Sequence, residues 1–78
     1  MSREKLLNEK ELAALAKQFR EASGKNRAEA ARELGVSRVS IHRAEEEPEE
    51  SLFKLRKRII EKYSPFEVIG PVFHLKRK

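Results

Sequence analysis

The chain has no cysteine and no aspartate, and it has only 3 glycines and 3 prolines among its 78 residues. Without cysteine there are no disulfides and no thiolate metal ligands. The two histidines, His42 and His74, lie far apart with no ligand pattern around either, so we expect no metal site. No apolar run approaches the length of a membrane span, and the charged N-terminus does not match a signal peptide. We therefore expect a cytoplasmic protein with no membrane partner.

Catalytic residues are equally scarce. No nucleophile stands beside a base, and there is no glycine-rich phosphate loop. Glutamates are abundant, but they lie in charged helical runs, where a solvated face is the common explanation. A chain of 78 residues also has little room for a deep pocket. We predict that the protein is not an enzyme and needs no cofactor, and nothing indicates a small-molecule ligand.

Positive charge is in surplus, and it is unevenly placed. The net charge is +5, and residues 1–53 carry 10 basic and 11 acidic side chains, whereas residues 54–78 carry 8 and 2. A basic surplus fits a nucleic-acid partner, because contacts to phosphates supply most non-specific DNA affinity. Many solvated helix faces are equally charged, so the charge count alone leaves the partner open.

Four helices are predicted from the apolar spacing and from the residues that start and stop them. Asn8 and Asn26 are each followed three residues later by a glutamate, which is the pattern of a capping box. Gly24 and Gly35 suit the left-handed conformation that ends a helix. Pro48 is tolerated in a first helical turn and acids favour a helix N-terminus, so the fourth helix is predicted to start near it. The predicted helices cover about 9–22, 27–34, 38–46 and 48–63.

The only strand-like segment is residues 66–75, FEVIGPVFHL, which are rich in β-branched and aromatic side chains. A local hairpin through Gly70 and Pro71 is possible, but proline is a poor second central residue there. We expect instead a single strand that pairs with the same strand of a second chain across a two-fold axis. This divides the chain into a helical domain, 1–63, and a dimerisation segment with a basic tail, 64–78.

A second apolar stripe on the fourth helix also needs a neighbour, because one stripe is enough to cover the helical core. Together with the strand, it makes a homodimer the expected assembly, as is common for chains of this size. The predicted dimer interface consists of Phe53, Ile60, Val68, Ile69, Val72, Phe73 and Leu75.

Residues 26–46 have the spacing of a helix-turn-helix. Ala31 is small, as a close helix crossing requires, and Gly35 makes the turn four residues later. Val36, Ile41 and Ala44 are spaced to lock the two helices at a fixed angle. With this signature, residues 12–62 resemble the Cro/repressor (XRE-type) helix-turn-helix family. The region around 24–37 is also similar to the Fis-type helix pair, but that family ends soon after its third helix.

The resemblance implies a mainly α fold, a small four-helix lambda-repressor-like domain, with one C-terminal strand added here. It also implies that the third helix enters the major groove of double-stranded DNA. The outward residues that would meet base edges are Arg38, Val39, His42 and Arg43. The family often pairs an arginine late in its first helix with a glutamate late in its third, and Arg20 and Glu45 stand at those places. They form either a bracing ion pair or two exposed charges.

Phosphate contacts are expected near the start of the second helix, whose free N–H groups attract anions. Family members often have glutamine where Arg27 stands, so its charge fits a phosphate contact while its geometry departs from the family. The five glutamates between 45 and 50 would repel a DNA backbone and are expected to face away from it or to border the site. The predicted phosphate contacts are Lys25, Asn26, Arg27, Ser37 and Ser40.

The function expected from these features is a homodimeric, sequence-specific DNA-binding transcriptional regulator, a repressor of bacterial or phage type that binds a palindromic site. The alternative is an antitoxin or co-regulator module whose main role is to bind another protein. A homodimer predicts paired half-sites about one helical turn apart. A module for a different protein predicts a monomer with an exposed apolar patch.

Overall fold

Four helices and a two-stranded antiparallel sheet make up the structure, a computed structural model that describes residues 7–70 and 74–78. The mainly α fold class predicted from the sequence is confirmed. Within the described ranges, no helix is both long and apolar enough to cross a membrane. The elements in chain order are α1 Glu9–Ala22, α2 Arg27–Leu34, α3 Arg38–Glu46, α4 Phe53–Tyr63, β1 Phe66–Ile69 and β2 His74–Arg77.

Both predicted capping boxes are present. The Asn8 side chain accepts a hydrogen bond of 2.8 Å from the Glu11 N–H, and the Glu11 carboxylate accepts one of 3.1 Å from the Asn8 N–H. Asn26 and Glu29 repeat the arrangement at 2.8 and 2.9 Å. These bonds satisfy donors that a helix start leaves free, so local sequence fixes where α1 and α2 begin.

The core lies where α1, α3 and α4 cross, with α2 packed against them. Alanines allow the helices to approach closely, because they add little bulk at the crossings. The predicted packing residues of the helix-turn-helix are confirmed, because Ala31, Ile41 and Ala44 lie in the core and Val36 packs against it. The buried core residues are Leu12, Ala16, Ala30, Ala31, Leu34, Ile41, Ala44, Ile59, Ile60 and Val68.

Two residues assigned to a dimer interface belong to this core instead. Ile60 is fully buried, and Val68 is 2% exposed within the single chain. A side chain that is already enclosed by its own chain offers no surface to a second one, so the interface prediction is wrong for both residues. The helical spacing of apolar residues places Ile60 on an apolar face of the fourth helix. It does not show whether that face packs inside the chain or against a second chain.

The start of the fourth helix differs from the prediction. Helix α4 begins at Phe53, not near Pro48, and residues 47–52 form turns. The cause is the fully buried Arg56, whose guanidinium donates to the backbone oxygens of Glu47 at 2.7 Å and Glu50 at 3.0 Å. These carbonyls turn inward to meet a buried cation, which a continuous helix through Pro48 would prevent.

The C-terminal segment forms a hairpin within the chain. The single strand predicted over 66–75 is divided into β1 and β2, which pair with Phe66 opposite Arg77 and Ile69 opposite His74. The pairing expected between two chains is thus made inside one. The hairpin packs on the helices through Val68 and through the Phe66 ring, whose centroid is 6.1 Å from that of Phe19.

The remaining predicted interface residues of this segment differ in how buried they are, and two of them are not described. Ile69 is half-buried, and Leu75 packs against the core. Val72 and Phe73 lie outside the described residues. Two backbone N–H groups of β1 are also occupied, since Val68 donates to Glu61 Oε2 at 3.0 Å and Phe66 donates to Ser64 Oγ at 3.1 Å. These two donors are therefore not available to a strand of another chain.

The hairpin should respond to acid through Glu61. Burial raises the pKa of this carboxyl, but hydrogen bonds from Lys57 and from the Val68 N–H outweigh it and hold the pKa below its usual range. A carboxylate with a lowered pKa stabilises the fold above its unfolded-state pKa, and that stabilisation is lost as the pH falls through the folded-state pKa. We expect the Val68 amide proton resonance to titrate with Glu61, and Glu61→Gln to abolish that titration. A Val68 resonance that titrates equally in both proteins would contradict the contact.

Candidate nucleic-acid interface

Helices α2 and α3 form the helix-turn-helix, joined by residues 35–37. Gly35 has φ +71°, the left-handed conformation predicted for the turn, and it directly follows the last residue of α2. The Val36 N–H donates to the Ala31 carbonyl at 3.0 Å, and Val36 packs against the core under the turn. Ile41 and Ala44 are fully buried on the inner face of α3. The inner face fixes the angle of α3 and leaves its opposite face to solvent.

The outer face of α3 carries the four residues predicted to meet base edges. Arg38, Val39, His42 and Arg43 are all exposed. Val39 is 56% exposed, which is high for an aliphatic side chain in a protein with a formed core. Within the described residues, the side chains of Arg38, His42 and Arg43 make no hydrogen bond or ion pair. They can therefore contact a ligand without first breaking an internal contact.

A shallow concavity lies between the start of α2 and the outer face of α3. It is lined by Arg27, Arg38, Val39 and His42. The fold thus brings one predicted phosphate-binding residue beside three predicted base-contacting residues, while Arg43 lies outside this concavity. Two guanidinium groups and an imidazole at one surface suit a ligand that presents anions and hydrogen-bond acceptors, as DNA does.

Arg20 and Glu45 form the ion pair that the family resemblance suggested. Arg20 Nε lies 2.6 Å from one Glu45 carboxylate oxygen, and Arg20 Nη2 lies 2.9 Å from the other. Both residues are 5% exposed, and Arg20 Nη1 also donates to the Lys25 carbonyl at 2.7 Å. Arg20 belongs to α1, Glu45 to the last turn of α3, and Lys25 lies just before α2, so these bonds join the three elements. Bidentate bonds between charged groups are among the stronger hydrogen bonds in proteins.

Arg27 is less available than the prediction of a phosphate contact implies. Its Nε donates to Glu45 at 3.0 Å and its Nη2 donates to Glu46 at 2.6 Å. Glu46 also pairs with Lys17, at 2.9 Å. The hydrogen bond from Lys17 and the one from Arg27 hold the pKa of Glu46 below its usual range, against the effect of burial. The role of Glu46 was not predicted, because nothing in the local sequence joins residues 17, 27 and 46.

The other predicted phosphate contacts also have internal partners. Lys25 pairs with Glu33 at 3.0 Å, and the Asn26 side chain is used in its capping box. Ser37 Oγ accepts from the Ser40 N–H at 3.1 Å, and the two hydroxyl groups are 2.9 Å apart. Ser37 therefore caps α3. The Asn26 and Ser37 side chains hold helix starts in place, and the capping bonds at these two starts occupy the N–H groups of Asn26, Glu29 and Ser40.

Two arginines of α4 that the sequence analysis did not single out hold the ends of α2 and α3. Arg56 Nε donates to the Ala44 carbonyl at 2.8 Å, in the last turn of α3. Arg58 Nη2 donates to the Leu34 carbonyl at 2.6 Å, at the end of α2. The spacing of residues in α4 does indicate that Arg56 is buried. Arg56 lies four residues after Leu52 and three before Ile59, in the middle of an apolar stripe, where a cation must find buried acceptors.

Residues 11–46 match the family model for a helix-turn-helix domain. No curated protein and no solved structure matches the chain. The matched region covers most of α1 and all of α2 and α3, which are the elements that build the concavity and present the outer face of α3. The match and this geometry together support the assignment of residues 11–46 to a helix-turn-helix DNA-binding family.

Proposed function

We propose that this protein is a sequence-specific DNA-binding transcriptional regulator of the Cro/repressor (XRE) type, acting as a repressor and not as an enzyme. The observation that carries the proposal is the outer face of α3. It presents two arginines, a histidine and an exposed valine, none of which is used in the described fold. A helix held rigidly by its inner face, with such an outer face, fits the major groove of B-DNA.

Each side chain on this face has a role that follows from its chemistry. Arg38 donates two hydrogen bonds to guanine O6 and N7, and Val39 contacts a thymine methyl group. His42 donates to a base or to a phosphate, and Arg43 reaches a base edge further along the groove. The start of α2 lies against the phosphate backbone, where the N–H groups of Arg27 and Ala28, which the capping box leaves without an acceptor in the described structure, attract anions. These contacts set register, while the α3 contacts read sequence.

We further propose that the protein binds its site as a homodimer through a surface beside α3, not through the hairpin. An open groove runs along the start of α4, and Val36, Leu52, Phe53 and Leu55 are its apolar lining residues. Phe53 belongs to the interface predicted from the sequence. Ser40 of α3 also lines this groove, so a second copy bound there would bring the two α3 helices near each other.

The groove also supports the alternative function, a module that binds a different protein. Sedimentation equilibrium separates the two. A self-associating chain that binds DNA as a dimer supports the repressor. A chain that stays monomeric both free and on DNA supports a hetero-partner at this surface.

The test of the proposed function is selection from a random DNA library, read out by sequencing. We expect an enriched palindrome whose half-site centres are about 10 base pairs apart, roughly 34 Å, as two recognition helices on one face require. A single enriched half-site would leave sequence-specific binding in place but contradict the homodimer. A library that shows no enriched sequence, although the protein binds DNA, would overturn sequence-specific regulation.

A further inference from the structure

The guanidinium of Arg27 is held by two carboxylates at the edge of the DNA-facing concavity. Glu45 is buried and anchored by Arg20, so its position is fixed. The Glu46 side chain is 36% exposed, and it meets both Arg27 and Lys17 from the solvent side. Arg27 itself is 27% exposed and lines the concavity beside Arg38 and His42. The positive charge of Arg27 is therefore neutralised by carboxylates of the same chain, at the surface where DNA would lie.

The consequence for DNA binding follows from how cations attract phosphates. A free arginine at such a position adds one phosphate contact, and with it the release of counterions from DNA. Two carboxylates already accept hydrogen bonds from its Nε and Nη2 and balance its charge. A phosphate competes with Glu46 at Nη2, and at Nη1 it meets a guanidinium whose charge is already neutralised. The negative charge of Glu46 also repels the backbone. Arg38 and Arg43, by contrast, have no carboxylate partner within the described residues.

We propose that Glu46 weakens the sequence-independent attraction of this protein to DNA by neutralising Arg27. This inference rests on the proposed function. Arg27 then acts as a positioning residue, which ties the start of α2 to the last turn of α3 through Glu45 and Glu46. Phosphate attraction at this edge stays weak, and the affinities for specific and for non-specific DNA are both lowered by this shared electrostatic contribution.

The experiment measures binding to a duplex without the specific site over a range of salt concentrations, for the unaltered chain and for Glu46→Gln. The variant keeps the size of the side chain and removes its charge. We expect the slope of log affinity against log salt to steepen by about 0.9, one phosphate contact. By the same relation, affinity for non-specific DNA rises about fivefold near 0.15 M salt. Affinity for the selected site rises by about the same factor, because a phosphate contact carries no sequence information.

Two further variants show whether the effect acts through Arg27. Glu49→Gln makes the same charge change in the nearby turn, at an exposed residue with no ion pair within the described part of the chain. It should change the slope much less than Glu46→Gln. In an Arg27→Gln background, Glu46→Gln should no longer steepen the slope, and Arg27→Gln alone should leave the slope nearly unchanged. Circular dichroism confirms that each variant is folded.

Three results would overturn the inference. If Arg27→Gln alone flattens the slope by about 0.9 while Glu46→Gln has no effect, Arg27 contacts phosphate directly in the complex. If Glu46→Gln and Glu49→Gln shift the slope equally, the effect is one of overall charge. If the unaltered chain binds no duplex at any salt concentration, the proposed function fails and this inference fails with it. The first two results, by contrast, would overturn this inference and leave the proposed function standing.

Discussion

Arg38→Ala should weaken binding to the specific site by about 1–3 kcal/mol and relax the preference at one base pair. Arg38 is the first residue of α3, exposed at the concavity and without an internal hydrogen bond or ion pair in the described structure. Its donors are therefore free to form a bidentate contact with guanine, and no internal bond has to be broken first. Losing that contact removes discrimination at the one position it reads.

The measurement is a binding-site selection on Arg38→Ala, combined with competition between the selected site and single-base variants of it. Arg32→Ala is the matched control. It removes the same charge from an exposed position on α2 that does not line the concavity. We expect it to change affinity slightly and the preference profile not at all. A uniform loss of affinity for all sequences in Arg38→Ala, with an unchanged profile, would assign Arg38 to a phosphate instead.

The sequence predicted the parts of the fold that depend on neighbours along the chain. Asn8 and Asn26 each supply a cap whose partner is three residues away, so α1 and α2 begin where expected. Gly35 marks the turn because its left-handed backbone is unfavourable for other residues. The exposed residues of α3 are predictable for the same reason. Once the inner face of a helix is known from its apolar residues, the opposite face is known as well.

The parts that were missed depend on residues far apart in sequence. Pro48 and its flanking glutamates favour a helix start locally, but the buried Arg56 draws the carbonyls of residues 47 and 50 inward and delays the helix to Phe53. Arg27 was predicted to be free for phosphate because its partners, Glu45 and Glu46, lie 18 and 19 residues away. Such pairs are set by how helices pack.

The C-terminal segment was misassigned for a related reason. Pro71 is unfavourable at the second central position of a two-residue turn, and this argues only against a hairpin with that short turn. The strands that form are Phe66–Ile69 and His74–Arg77, so the connection spans residues 70–73. A four-residue connection does not need proline at the second central position of a two-residue turn, and so the objection to a hairpin does not apply.

Arg56→Met should destabilise the fold by about 3–5 kcal/mol, the range found when one partner of a buried charged network is removed. The Arg56 side chain is fully buried, and its guanidinium donates to three backbone carbonyls, those of Ala44, Glu47 and Glu50. It also meets Glu9 Oε1 at 2.7 Å, from the first turn of α1. Methionine fills part of the volume but donates nothing, so the carbonyls lose their donors inside the protein.

A buried ion pair can often be replaced by apolar side chains with little loss, because both charges are removed together. That exchange is not possible here, since most of the partners of Arg56 are peptide carbonyls, which no substitution deletes. Glu9 contributes less to the loss because its side chain is 38% exposed and can be rehydrated. The cost should therefore fall on the last turn of α3 and on residues 47–52, where the Arg56 side chain holds the carbonyls of Ala44, Glu47 and Glu50.

Urea denaturation of the two matched variants Arg56→Met and Arg58→Met tests this account. Arg58 lies on the same helix but is exposed and makes one hydrogen bond, to the Leu34 carbonyl, so its replacement should cost about 0.5–1.5 kcal/mol. Arg56→Lys should fall between the two, since an ammonium keeps the charge but cannot reach all of the carbonyls that lie around the edges of the guanidinium. Equal losses for Arg56→Met and Arg58→Met would mean that water replaces the guanidinium at those carbonyls. In that case α3 would be held at its angle by Ile41, Ala44 and the ion pairs of Glu45 and Glu46 with Arg20, Arg27 and Lys17.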